Sequence, residues 1–342
     1  MRCAKLVGPK QFEIGEINEP TNEEDGKVII DVKKAGICGS DLHYFEIGGP
    51  QGLVTGHEFS GVVVDPGHRE DLQVGDRVTA LPISPCLNCE ACSKGEYQYC
   101  AKTWDEALGL SLTNPGALSP RIKVREDMVM KLPDEVSFDE GAMVEPTAVG
   151  LHAVNLADVK VGDKVLVVGG GIIGLVSAMF AKMDGASYVA VSEANPLRGE
   201  NSVNLGVADE YIDARREDFA EYCHSRTGEG FDIVIECCGN KPAVASALAA
   251  AKQGGKVVLV GVSIKPIEVP TAIIVTHELS VIGAIAYNKA EFHTVIELMK
   301  DKKIDVLKFK SEEVPLSEVQ TSYEKLFSGT DKAIKILIDP NR

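Results

Sequence analysis

Basic charge is scarce in this chain: 35 Lys and Arg stand against 51 Asp and Glu, for a formal net charge of −16. A nucleic-acid partner needs a basic patch, so none is expected. Long apolar runs are missing as well. None approaches the ~20 residues of a membrane span, and the opening residues MRCAKLVGPK hold no apolar signal-peptide core. Neither an internal repeat nor a low-complexity stretch is present. The nine cysteines do not read as the disulfide framework of a secreted domain: five stand in metal-ligand contexts, and Cys3, Cys223, Cys237 and Cys238 are scattered. These absences leave an acidic protein expected in the reducing cytoplasm, with no membrane partner, whose 342 residues allow two domains with their own cores.

What is present begins with Cys86, Cys89, Cys92 and Cys100, spaced C-x2-C-x2-C-x7-C in a loop punctuated by Pro82, Pro85 and Gly95. This is the spacing of a closed four-thiolate zinc site, in which tetrahedral metal replaces a hydrophobic core. A redox centre or an iron–sulfur cluster is the alternative. Four thiolates leave no open position for a substrate. The lobe, residues 82–103, is therefore expected to be structural.

Residues 1 to about 148 read as short strands, at 28–32, 60–64 and 77–80, parted by turn signals such as Asp65-Pro66-Gly67 and Gly75-Asp76. Beyond that point strand and helix patterns alternate. The continuous apolar run 165–168 is a buried parallel strand, and a small-residue helix at 172–183 follows it. Further strands are expected at 188–192, 232–236, 256–260 and 279–282, with a helix at 243–251. This alternation predicts an α/β doubly wound parallel sheet. A helix at 291–301 and a strand at 333–338 are too short to form a domain and are expected to return to the first one. The predicted division is 1–148 with 286–342, and 149–285.

Gly169-Gly170-Gly171-Ile172-Ile173-Gly174 supplies G-x-G-x-x-G between a predicted strand and a predicted helix, the context that pattern requires. The first glycine permits the turn, the second lets a pyrophosphate approach the backbone, and the third lets the helix pack on the strand. The helix N-terminus adds free N–H groups and partial positive charge. Glu193, nineteen residues beyond Gly174, ends the second strand. A carboxylate there accepts bonds from the adenosine ribose and repels a 2′-phosphate, so NAD is expected rather than NADP. Arg198, five residues on, is the group that would meet the extra phosphate instead.

Two further motifs stand in the strand-rich part: GICGSDLH, residues 36–43, and GHEFSG, residues 56–61. A third, Val144-Glu145-Pro146, lies at the domain border. Cys38, His57 and a carboxylate are three ligands of the types zinc prefers, and three protein ligands leave a fourth position open, as in catalytic sites. The flanking glycines suggest tight turns that aim these side chains inward.

Taken together, GICGSDLH, GHEFSG, the four-cysteine lobe, VEPTAVGLHA and VLVVGGGIIG run in one order over essentially the whole chain. In that order the chain resembles a zinc-dependent member of the medium-chain dehydrogenase/reductase superfamily, the alcohol dehydrogenase fold. The resemblance implies a GroES-like β-barrel catalytic domain beside a Rossmann NAD-binding domain, and two zinc ions per chain. Cys38 and His57 would ligate the catalytic zinc. Glu58 and Glu145 are the carboxylate candidates, and which binds directly stays open. Asp41 would orient the zinc-bound histidine. Ser40 and His43 match the family's hydroxyl–imidazole proton relay. Gly169, Gly171, Ile172, Ile173, Gly174, Glu193, Arg198, Val260 and Ala284 would line the cofactor, and Lys335, on the last strand, resembles a basic residue that approaches its pyrophosphate.

Within the superfamily, Glu145 and His43-Tyr44 resemble the polyol, threonine and butanediol dehydrogenase group. Sorbitol-type enzymes carry an arginine before a tyrosine where this chain has Ala286-Tyr287, which leans the expectation towards a diol. The expected function is NAD-dependent oxidation of a secondary alcohol, a small polyol or vicinal diol, to a ketone. L-threonine 3-dehydrogenase is one alternative and a non-catalytic NAD-binding protein another. Relatives extend the nucleotide-domain sheet across a two-fold axis, so a homodimer or homotetramer is expected.

Overall fold

The computed structural model describes residues 1–22 and 26–342. Its first stretch is strand-rich, as its β-branched alternation requires. Strands β1 (Arg2–Gly8) and β2 (Gln11–Glu16) form a hairpin of their own. Then come β3 (Val28–Gly36), helix α1 (Gly39–Ile47), β4 (Glu58–Asp65), β5 (Arg77–Ala80), the short α2 (Glu90–Ser93), β6 (Arg121–Val124), β7 (Val129–Lys131), α3 (Phe138–Ala142) and α4 (Val144–Ala157). The helix α1 departs from the expected turn. Cys38 is its N-cap, and Asp41 at the third helical position accepts the Cys38 backbone N–H at 3.2 Å, so the short polar side chain satisfies an otherwise unpaired group.

From residue 164 the βα alternation is regular: β8 (Lys164–Val168), α5 (Ile172–Met183), β9 (Tyr188–Glu193), α6 (Pro196–Asn204), β10 (Glu210–Asp213), α7 (Phe219–Thr227), β11 (Phe231–Glu236), α8 (Lys241–Ala250), β12 (Ala251–Leu259), α9 (Thr271–Thr276) and β13 (Ser280–Gly283). The tail adds α10 (Lys289–Lys300), β14 (Lys310–Pro315), α11 (Val319–Ser328) and β15 (Lys335–Asp339).

The chain divides into two units. One holds Met1–Ala148, Tyr287–Ser328 and Lys335–Arg342; the other holds Val149–Ala286 and Gly329–Ile334. The second unit is a six-stranded parallel sheet in the order β10-β9-β8-β11-β12-β13, with a core of side chains such as Leu166, Val234, Leu248 and Val257. The first is a seven-stranded sheet ordered β14-β15-β3-β4-β5-β7, with β6 also on β3, antiparallel except for β14 on β15. Two differences from the expected division stand out. Ala286 belongs with the nucleotide unit, and so does the segment Gly329–Ile334, tied there by the Asn195 amide, which donates to Gly329 O at 2.7 Å and Asp331 O at 2.9 Å. No helix among the described residues is long and apolar enough to cross a membrane.

Candidate metal centre and dinucleotide site

Strands β15, β3 and β4 lie side by side, and their adjacent ends carry the first cluster. Gly36 pairs with Glu58 across β3 and β4, so the chain leaves β3 directly into Ile37 and Cys38 beside the His57-Glu58 pair that opens β4. Cys38, His57 and Glu58 each offer a ligand atom, all within 4.8 Å of one another. His57 and Glu58 are buried and Cys38 is half-buried. Asp41, fully buried, holds the Cys38 N–H with one oxygen, while its other oxygen lies 3.5 Å from His57 Nδ1. It thus touches both candidate ligand segments.

Glu145, on the first turn of α4, lies outside that trio of atoms. It is buried, and the Tyr287 hydroxyl donates to its Oε1 at 3.0 Å. Burial pushes the Glu145 carboxyl up to about 7, against the pull of His57. Burial raises Asp41 as well, again opposed by His57. Burial works against a charged His57, yet Cys38, Asp41 and Glu145 beside it outweigh that and raise it well above the ordinary imidazole value. Asp41 Oδ1, His57 Nδ1 and Glu58 Oε1 are buried without a hydrogen-bond partner. Three buried carboxylates beside a half-buried thiol, with unpartnered acceptor atoms on Asp41 and Glu58, form the charge arrangement that a divalent cation relieves. Zinc fits this donor set.

Ser40 is exposed, and its hydroxyl donates to Cys38 Sγ at 3.2 Å. His43 is half-buried three residues on along α1, on the same helix face. Lys335 departs from the expectation of a phosphate contact. It is fully buried, its ammonium donates 2.8 Å to the Ile37 carbonyl, and it forms an ion pair with Glu58 Oε2. A cation so enclosed is turned away from any phosphate. The sequence held the signal: one lysine stands in the apolar run Ala333 to Ile338, where a charge needs a buried partner.

The four-cysteine lobe is the second cluster, and these are the two such groups among the described residues. Its base is closed by Ser84 N donating to Thr103 O and Leu108 N to Pro82 O, both at 2.8 Å. The Cys86 and Cys92 sulfurs are 4.0 Å apart, close to the ~3.8 Å edge of a tetrahedron with Zn–S bonds of ~2.3 Å. Backbone N–H groups of Cys86 and Lys102 donate to Cys100 Sγ and draw its thiol down to about 6, favouring the thiolate. All nine cysteines are unpaired.

In the nucleotide unit, Gly169 has φ +112°, a conformation closed to most side chains. A Cβ on Gly174 would lie 1.9 Å from Gly169 O, so the helix can approach the strand only with glycine there. A Cβ on Gly171 would meet nothing within 4 Å, leaving the open approach that a pyrophosphate needs at the N-terminus of α5. Ile172 and Ile173 open that helix. Glu193 is buried, and its two oxygens accept from Gly170 N and Asn195 N, both at 2.8 Å. Arg198 sits on α6 with its guanidinium on Glu193 at 3.2 Å, so the group that would favour an extra phosphate is engaged by the group that opposes it. Val260 and Ala284 directly follow β12 and β13, at the same carboxyl edge of the parallel sheet as the glycine loop. These residues fit a dinucleotide.

The chain is 31% identical to a sorbitol dehydrogenase of Bacillus subtilis (strain 168) over 353 residues, covering 100% of this chain and 98% of that protein. It belongs to the zinc-dependent medium-chain dehydrogenases. The zinc-binding dehydrogenase family model matches residues 173–301, and the alcohol dehydrogenase GroES-like domain matches 24–134. D-xylulose reductase of Saccharomyces cerevisiae is 31% identical, with 98% of this chain and 96% of that protein covered. The crystal structure of 2R,3R-butanediol dehydrogenase from Bacillus subtilis superposes with a TM-score of 0.87 at 33% identity over 99% of both chains. Membership gives this dehydrogenase its zinc and nicotinamide dependence, and the Cys38–His57–Glu58 trio and the glycine cradle have the chemistry to fit those groups.

Proposed function

We propose that this dehydrogenase oxidises a small polyol or vicinal diol to a ketone with NAD, using Cys38, His57 and Glu58 as direct zinc ligands. The single observation that carries the reading is the clustered Cys38–His57–Glu58 trio, with Glu145 bonded by Tyr287. Zinc, when bound, supplies Lewis-acid polarisation of an alcohol oxygen, and the nicotinamide accepts the hydride. The chain's own residues orient and move protons. Asp41 fixes the His57 ring from behind. Glu145, outside the trio, acts through water and reads a neighbouring hydroxyl. Ser40 takes the proton of the substrate hydroxyl, and His43 passes it towards solvent. Glu193 accepts from the ribose and disfavours a 2′-phosphate. The four-cysteine lobe holds a structural zinc. Sorbitol, xylulose and butanediol enzymes among the relatives support the substrate class.

Comparing kcat/KM for 2,3-butanediol, xylitol, sorbitol, L-threonine and 2-butanol, followed by NADH absorbance, tests the reading. A site built to bond a second hydroxyl rejects a substrate lacking it by a large factor. A diol or polyol should therefore lead, and a best rate with 2-butanol would end the diol and polyol assignment. The unpaired cysteines support a reducing, cytoplasmic setting. Assembly is part of the proposal. Strand β13 is an open sheet edge, with Val275, Val281 and Ile285 exposed nearby, and such an edge is commonly covered by another chain. A second copy of this chain would continue the sheet. Light scattering should report a dimer or tetramer, and a monomer at micromolar concentration would contradict it.

A further inference from the structure

Lys335 is the only buried lysine or arginine among the described residues. It stands at the start of β15, far from Glu58 in sequence, and the order β15-β3-β4 brings it beside both candidate ligand segments. One ammonium serves both. It bonds the carbonyl of Ile37, the residue before Cys38, at 2.8 Å, and it pairs with Glu58 Oε2. Space for that pair depends on Gly36, where a Cβ would lie 2.1 Å from Glu58 Oε2. The second Glu58 oxygen, Oε1, is buried with no hydrogen-bond partner. The carboxylate is thus divided, with one oxygen committed to the lysine and one free.

Resting on the metal reading above, we infer that Lys335 is a positioning residue of the catalytic zinc site. By holding Oε2 it makes Glu58 a one-oxygen ligand, aimed by an ion pair, and by holding Ile37 O it sets the backbone that presents Cys38. A lysine serving only sheet packing would stabilise the fold without touching metal retention, so the two roles separate in a metal measurement. Partners that orient a ligand from behind commonly change metal affinity or activity by about 10–100-fold when removed.

The test uses the full-length zinc-loaded protein and follows zinc transfer to a chromogenic chelator. Two release phases are expected, and the phase missing in Cys38→Ser belongs to the catalytic site. In Lys335→Met that phase should accelerate by about 10–100-fold, while the four-cysteine phase keeps its rate. The visible spectrum of protein carrying cobalt at the catalytic site should change as well. Should Lys335→Met fail to fold, the Lys335→Met/Glu58→Gln double variant removes both buried charges together and avoids the lone charge that destabilises a core. Because Lys335 acts largely through Glu58, adding Lys335→Met to Glu58→Gln should accelerate release much less than it does alone, or less than about tenfold if the single variant cannot be measured. Wild-type release and an unchanged cobalt spectrum in folded Lys335→Met would overturn the inference. So would a full further acceleration in the double variant. Absence of any Cys38-dependent phase in the unmodified protein is a separate result: it would remove the catalytic zinc itself, and this inference with it.

Discussion

The two candidate metal clusters of this dehydrogenase are built in opposite ways. All four candidate ligands of the lobe fall within Cys86 to Cys100, in a segment with one short α-helix and one 3-10 turn. The other cluster draws Cys38 from the N-cap of α1, Glu58 from the start of β4 and His57 from the residue before it, with Glu145 from α4, Tyr287 and Lys335 around them. On the proposed reading, the first arrangement relies on a metal in place of a core. The second hangs on a seven-stranded sheet and the helix that follows β3, so its candidate ligands would be positioned by the fold itself. On the proposed reading, structure depends on metal in one cluster and metal depends on structure in the other.

The largest expected effect breaks that contrast directly. Cys38→Ser should lower kcat by roughly a thousandfold or more, the several kcal/mol that a Lewis acid contributes, while thermal unfolding moves little. Cys92→Ser should do the reverse in stability, because metal binding to such a loop is part of its folding free energy. A fall in Tm on the order of 10 °C is expected, at roughly 2–4 °C per kcal/mol. Similar melting of both variants would erase the distinction.

Smaller effects sharpen the pre-organised side. Asp41→Asn keeps the shape but weakens the pull on His57, and a loss of about 10–100-fold in affinity for the Cys38-dependent zinc is expected from equilibrium chelation. Tyr287→Phe takes the donor from Glu145. With about 1.5–3 kcal/mol for a bond to a charged group, kcat/KM for a diol should fall about tenfold or more, and far less for 2-butanol. Equal losses on both substrates would mean that Glu145 does not read the second hydroxyl. The mildest change is Glu193→Ala, which should narrow the preference for NAD over NADP. Since Glu193 also holds Gly170 N and Asn195 N, KM for NAD should rise at the same time. A higher kcat/KM with NADP in the unmodified enzyme would move attention to Arg198.

The same contrast explains what the sequence disclosed. A cluster written within one short loop is visible as spacing, and so is a glycine fingerprint between a strand and a helix; α5 runs over Ile172–Met183, the span its pattern predicts. Residues brought together by strand pairing leave weaker traces. The helix α1 was hidden because Gly36, Gly39 and Ser40 imitate a turn, although Asp41 three residues after Cys38 is a capping signal. Strand β12 begins at Ala251, earlier than its apolar run suggests, because Gly254-Gly255 falls where the register against β11 shifts. Strand β10, with Glu210 and Asp213 at its ends, has too little apolar content to register as a strand. Lys335 misled for a different reason. Its charge was legible and its partner was not, since Glu58 meets it only through the order of strands β15, β3 and β4.

The central claim is that one chain carries two metal sites of different kinds, one catalytic and one structural. Zinc per chain, measured by elemental analysis on the purified protein and on Cys38→Ser and Cys92→Ser, tests it most directly. About two zinc ions should be found in the unmodified enzyme, and about one in each variant, with turnover surviving only where Cys38 is intact. One zinc in the unmodified active enzyme, or two retained in Cys38→Ser, would contradict the account.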